Sequence, residues 1–121
     1  KNATSRADWL LYNEEERDKY LNDPHIPAQI TASLMYELLS GMINCVSKKA
    51  KTASLAPVYI LSGSDDAVSE YGKNIKTTVN LMTKQGFNIK DIMIFNNMRH
   101  DILHEKDNIK VLDYIYEAIT H

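Results

Sequence analysis

Two short apolar runs in this chain each lead into residues that can move or hold a proton. Val58-Tyr59-Ile60-Leu61 opens into Gly63-Ser64-Asp65-Asp66, and Ile92-Met93-Ile94-Phe95 opens into Asn96-Asn97-Met98-Arg99-His100. Imidazole is the side chain suited to take and return a proton near neutral pH. A carboxylate beside it fixes its tautomer and stabilises the imidazolium. Asp66 and His100 therefore supply two members of a nucleophile–histidine–acid set, the apparatus of acyl transfer. The acid comes before the histidine, as in the chain order Ser…Asp…His. The nucleophile is not spelled, because no Gly-x-Ser-x-Gly elbow occurs anywhere in the 121 residues. Ser62, Ser64 and Ser69 lie beside the acid without such an elbow and read as turn and cap residues. Asp65 reads as a turn former.

The elements that would deliver this pair follow from periodicity. Asn13 is placed to cap a helix through Asn22, with Glu16 at the third helical position as in a capping box. Asp23-Pro24 stops it, since proline disfavours a helical residue before it. Pro27 begins a second approach, and Thr31 caps a long helix to about Lys49. Its stripe of Leu34, Met35, Leu38, Leu39, Met42, Ile43 and Val46 has helical period. Core packing is the first reading of that stripe, and the wall of an acyl-chain pocket is the second. Cys45, amid those apolar residues, reads as buried and inert.

From Pro57 the pattern turns to strand, helix, strand, helix. The crossover helix is expected from about Ser69 to Gln85, burying Ile75, Val79 and Met82, with Gly86 as a left-handed cap. The last helix is expected from about Lys106 to Thr120, with Ile109, Leu112, Ile115, Tyr116 and Ile119 on one face. This order implies an α/β class with two parallel strands joined by a right-handed crossover. It puts Asp66 and His100 at the carboxyl ends of the strands, where ligands gather in open α/β sheets. Two strands leave open edges and uncovered faces. The chain is thus expected to self-associate or to need a missing N-terminal part.

Composition excludes several classes. Hydrophobic residues are 44% and charged residues 25%, ordinary for a globular chain. A net charge of −2 gives no electrostatic reason to expect nucleic acid as a partner. No apolar run reaches the roughly 18 residues of a membrane-spanning helix. One cysteine allows no internal disulfide framework and suits a cytoplasmic setting, at most peripheral to a membrane. The opening Lys1-Asn2-Ala3-Thr4 has neither an initiator Met nor a secretory segment, as in a piece of a longer protein. Asn2-Ala3-Thr4 also matches a glycosylation sequon, a match that chance often supplies.

These residues together resemble the lysophospholipase and monoacylglycerol-lipase-like branch of the α/β-hydrolases, of the serine aminopeptidase S33 type. Asp8-Trp9-Leu10, Asn13-Glu14-Glu15-Glu16, Tyr20 and Asp23-Pro24 are similar to the segment leaving that family's cap. Residues 57–66, Gly72-Lys73, Gly86 and Arg99-His100-Asp101-Ile102-Leu103-His104-Glu105 are similar to its C-terminal core. The resemblance implies the C-terminal portion of an α/β-hydrolase fold. Residues 1–50 would then be helical, leaving the cap and returning to the core, and residues 51–121 would be the C-terminal part of the core. It places the acid at Asp66, the last residue of a Gly-x-x-Asp turn, and the histidine at His100. The implied substrate is a lipid or small carboxylic ester, with no metal or organic cofactor. Ala67 and His104 stand where the family usually has Pro and Asn, which bears on subfamily and substrate. With no serine elbow, this stretch alone is expected to be inactive.

Two other readings compete. His100-Asp101-Ile102-Leu103-His104 is spelled like a His-Glu-x-x-His zinc motif, in which residues four apart on a helix share a face. Asp101 is a methylene shorter than the expected Glu, and Phe95 is too near to leave room for a helical turn. A third ligand would have to be Glu105 or Asp107. Alternatively, a noncatalytic α/β module could bind a small molecule at the same edge. It would not depend on Asp66 and His100 as a pair.

Overall fold

Strand β1 (Pro57–Gly63) pairs in parallel with β2 (Asn88–Phe95), and α3 (Ile75–Lys84) connects them. The structure is a computed structural model, and it describes residues 3–26, 29–45 and 56–120. Ahead of the sheet come α1 (Glu14–Asn22) and α2 (Ala32–Cys45), and α4 (Ile109–Thr120) closes the order. The register runs from Pro57 opposite Asn88 to Gly63 opposite Phe95, with one irregularity between Val58 and Tyr59. Both strands therefore end level, which puts the loops that follow them side by side. No described helix is long and apolar enough to cross a membrane.

The core lies between β2 and α4. Phe95, Met98 and Val111 are buried, with Leu61, Met93, Ile102, Tyr114 and Ile115 packed against them. Ala7, Leu10 and Leu11 are buried as well, so the segment before α1 belongs to the packed part of the molecule. The expected single apolar face of α4 is corrected here. Val111, Tyr114 and Ile115 face the sheet, whereas Ile109, Leu112, Tyr116 and Ile119 are exposed. The α4 sequence is apolar around much of its circumference, and the described sheet covers only one side.

Helix α2 departs from expectation in the same way. Thr31 caps it, its hydroxyl accepting the Leu34 N–H at 3.2 Å. Yet no α2 residue is buried, and Leu34, Leu38, Met42 and Ile43 are all exposed. Cys45 is exposed too, contrary to the buried thiol expected. The continuation to Lys49, Val46 in the stripe, the approach at Pro27 and the Asn2 sequon lie outside the described residues.

Local hydrogen bonds explain the other shifted boundaries. Helix α3 begins at Ile75 and not near Ser69, because residues 67–74 form turns. The Ser69 hydroxyl donates to the Asp66 carbonyl at 3.1 Å and accepts the Gly72 N–H at 3.0 Å. Glu70, Tyr71 and Gly72 follow with φ of 50°, 58° and 82°, a left-handed run that no α-helix includes. Gly86, with φ 94°, ends α3 as expected. At α1 the capping box does not form. The Asn13 N–H donates to Glu105 at 3.2 Å and its side-chain amide to the His104 carbonyl at 3.0 Å, while Glu16 pairs with Lys19.

Tyr114 ties α4 to the sheet. Its ring meets Tyr59 and Phe95 edge-on at 6.5 and 6.2 Å, and its hydroxyl donates to Asp91 Oδ2 at 2.6 Å. That bond pushes the Tyr114 phenol up to about 12 and lowers the Asp91 carboxyl. Unfolding returns the phenol to about 10, so the bond's contribution is whole below that pH and fades as pH rises through about 12. The stability lost in Tyr114→Phe should accordingly be constant from pH 7 to 9 and shrink above about pH 10. Denaturant midpoints of the two proteins at matched pH check this, and a gap that widens with pH would refute it.

Candidate active site

The two loops meet because Gly63 has no side chain. A Cβ on Gly63 would lie 2.2 Å from the Met98 carbonyl oxygen and 2.3 Å from that of Arg99, closer than real atoms approach. The contact is laced with hydrogen bonds. Ser64 N–H donates to the Phe95 carbonyl and Asp65 N–H to the Met98 carbonyl, both at 2.9 Å. Asn97, at φ 57°, donates its N–H to the Ser64 hydroxyl at 3.0 Å. Ser62, Ser64 and Ser69 are all engaged in such turn bonds.

Asp66 and His100 come together across this seam. His100 Nδ1 lies 3.1 Å from Asp66 Oδ1. The acid is buried, with 9% of its side chain exposed, while 42% of the imidazole is open. Asp66 Oδ1 also accepts the Val68 N–H at 2.8 Å, which fixes the carboxylate plane. With Nδ1 protonated and donating to Asp66, Nε2 is left to exchange a proton with a reactant. A buried acid against a half-open imidazole is the geometry that general-base chemistry requires.

The neighbouring Asp65 turns away. Its Oδ2 accepts the Tyr12 hydroxyl at 2.8 Å and its Oδ1 the Ser64 hydroxyl at 2.9 Å. The bond to Asp65 raises the Tyr12 phenol. The Arg99 guanidinium sits 3.9 Å above the Tyr12 ring and donates to the Asp8 carbonyl. Hydrogen bonds from Ser5, first, and from Thr4 hold the Asp8 carboxyl well below the usual carboxylate range. Trp9 completes the surround, its ring centroid 5.2 Å from that of His100. An open cleft of about 460 Å³, lined by Trp9, Tyr12, Asp65, Tyr71 and Arg99 among others, lies alongside. Sequence reasoning missed the roles of Trp9 and Tyr12, which stand far ahead of the strands and carry no spacing signal. It offered Glu105 only as a possible third zinc ligand, whereas the carboxylate accepts the Arg99, Tyr12 and Asn13 amides.

The zinc spelling does not assemble. Residues 100–104 form no helix. His100 faces Asp66, while His104 Nδ1 lies 2.9 Å from Asp101, whose bond raises the His104 imidazole. Among the described residues, no three His, Cys, Asp or Glu side chains are grouped to hold a metal ion.

Residues 2–107 match the model of the family described as serine aminopeptidase, S33. No curated protein matches the chain. Among solved structures, it is similar to a highly thermostable carboxyl esterase from Bacillus coagulans in complex with glycerol. There the TM-score is 0.74 and the identity 19%, over 98% of this chain and 38% of that one. A lipase in its open form aligns at TM-score 0.69 and 14% identity, over 89% of this chain and 36% of that one. A monoacylglycerol lipase from Paleococcus ferrophilus aligns at TM-score 0.69 and 23% identity, over 90% and 40%. The chain thus spans well under half the length of each.

Trp9 is the only tryptophan, so its fluorescence reports on His100 directly. His100→Ala should shift the Trp9 emission maximum and open the indole to acrylamide quenching, whereas His25→Ala should change neither. Emission and quenching unchanged in His100→Ala would separate the two rings.

Proposed function

The chain belongs to the serine aminopeptidase S33 family of α/β-hydrolases, and from that premise we propose that its protein is a serine hydrolase of carboxylic esters on lipid-like molecules. The observation that carries the reading is the 3.1 Å approach of His100 Nδ1 to buried Asp66 at the carboxyl ends of parallel strands. The names of the similar solved structures, an esterase, a lipase and a monoacylglycerol lipase, support an ester as substrate. Exposed Trp9 and Tyr71 beside the pair offer apolar surface to such a molecule.

In this mechanism a serine from outside these 121 residues attacks the ester carbonyl. His100 Nε2 takes the serine proton as the bond forms, and the imidazolium is held by Asp66. As the tetrahedral intermediate collapses, His100 returns that proton to the departing alcohol. It then draws a proton from the water that attacks the acyl-serine, and returns it to the serine oxygen as the acyl–serine bond breaks and the acid leaves. No proton needs to pass to Asp66, whose task is orientation and charge. The 121 residues alone, without serine or oxyanion donors, should not turn over esters. The apolar residues exposed on α2 and α4 support the same reading, since they need cover from the rest of the protein or a second copy.

In the full-length protein, His100→Ala and Asp66→Asn should each slow acyl-enzyme formation by about 10³-fold or more, and Asp65→Asn far less. Pre-steady-state release of p-nitrophenol from a medium-chain ester measures it. Full rates in His100→Ala would remove the general base and the reading with it.

A further inference from the structure

Beyond the acid and the base, one buried carboxylate has no part in the mechanism so far. Glu105 is 3% exposed, and its partners are all backbone N–H groups. Oε1 accepts from Arg99 N and Tyr12 N, both at 2.9 Å. Oε2 accepts from Tyr12 N at 3.0 Å and Asn13 N at 3.2 Å. A single side chain thus joins the histidine loop to the residues entering α1, which lie 93 and 92 positions before Glu105 itself.

We propose that Glu105 is a positioning residue that holds His100 against Asp66 through the Arg99 amide. This rests on the hydrolase reading above. The His100 backbone is fixed on both sides. On one, the Arg99 N–H is held by Glu105 Oε1; on the other, the Asp101 N–H donates to the Leu10 carbonyl at 2.8 Å. Leu10 immediately precedes the 11–13 turn, whose Tyr12 and Asn13 amides the same carboxylate holds. One group therefore sets both anchors of the residue between them. From the opposite side, the Met98 and Arg99 carbonyls are pressed against Gly63. The loop is clamped between the end of β1 and Glu105, and His100 projects from the clamp.

Only a carboxylate suits this place. It is acceptor-only, with lone pairs for four contacts. Glutamine has nearly the same shape but offers one accepting oxygen, and its NH₂ would confront either the Arg99 or the Asn13 amide. An unmet buried donor drives the backbone away from it. A loop shift of about 1 Å suffices to cost on the order of 100-fold in rate when reacting groups fall out of line.

The test is a double-mutant cycle in the full-length protein, with turnover normalised to folded enzyme by active-site labelling. Glu105→Gln should lower kcat by about 10- to 100-fold, with KM changed by no more than about twofold. Combined with Asp66→Asn it should cost almost nothing more, because the bond it serves is already lost. Glu105→Asp, which keeps the charge but draws it back by a methylene, should recover part of the rate. It also serves as the probe if the Gln variant does not fold. Unchanged kcat in Glu105→Gln, or the same fold-loss in the Asp66→Asn background as in the wild type, would overturn the proposal. If His100→Ala and Asp66→Asn themselves leave turnover intact, the hydrolase reading has failed, which is a different result.

Discussion

The absence of a side chain at Gly63 is the constraint on which the site depends. A parallel pair of strands ends level, and the backbone of the second loop must pass over the end of the first. With the Met98 and Arg99 carbonyls where a Cβ would be, no other residue fits without moving one loop. Everything proposed for the site follows from that approach. It sets Asp65 N–H against the Met98 carbonyl and Ser64 against Asn97. Three residues after the glycine, Asp66 then meets the ring of a histidine two residues beyond Met98.

Close packing brings the loops together, and a polar lattice from the beginning of the chain keeps them there. Residues 4–17 contribute Asp8, Trp9, Tyr12, Asn13 and Arg17, and each touches either one of the two loops or a partner that does. The exposed ion pairs of α1, such as Lys19 with Glu15 and Glu16, are worth little individually. The buried Glu105 contacts differ in kind, because desolvated donors leave no cheap alternative. The division of labour is physical: side chains at the strand ends form the Asp66–His100 pair, and a distant segment holds the strand ends.

How much of this was legible depended on distance along the chain. The strands were readable from continuous apolar runs, and β1, β2 and their parallel pairing follow from them. The meeting of Asp66 and His100 was readable because strand ends are delivered to one edge by topology alone. Helix starts were less legible. At α3, left-handed Glu70 and Tyr71 spoil a stretch whose composition allows a helix, and at α1 a tertiary carboxylate takes the amide that a capping box would use. The apolar stripes of α2 and of half of α4 predicted burial and are exposed, since periodicity reports what a face requires and not what lies opposite it. The parts that escaped altogether, Trp9 beside His100 and Glu105 on the Tyr12 and Asn13 amides, join residues about ninety positions apart, where spacing carries no information.

Asp66 orienting His100 as a base is the central claim, and the protonation of one ring nitrogen decides it. Nitrogen-15 NMR of the full-length protein with labelled histidine, at a pH where His100 is neutral, distinguishes the two tautomers. Nδ1 should carry the proton, with its signal showing a hydrogen bond that Asp66→Asn weakens, and Nε2 should be bare. A neutral His100 protonated at Nε2, indifferent to Asp66→Asn, would contradict the account.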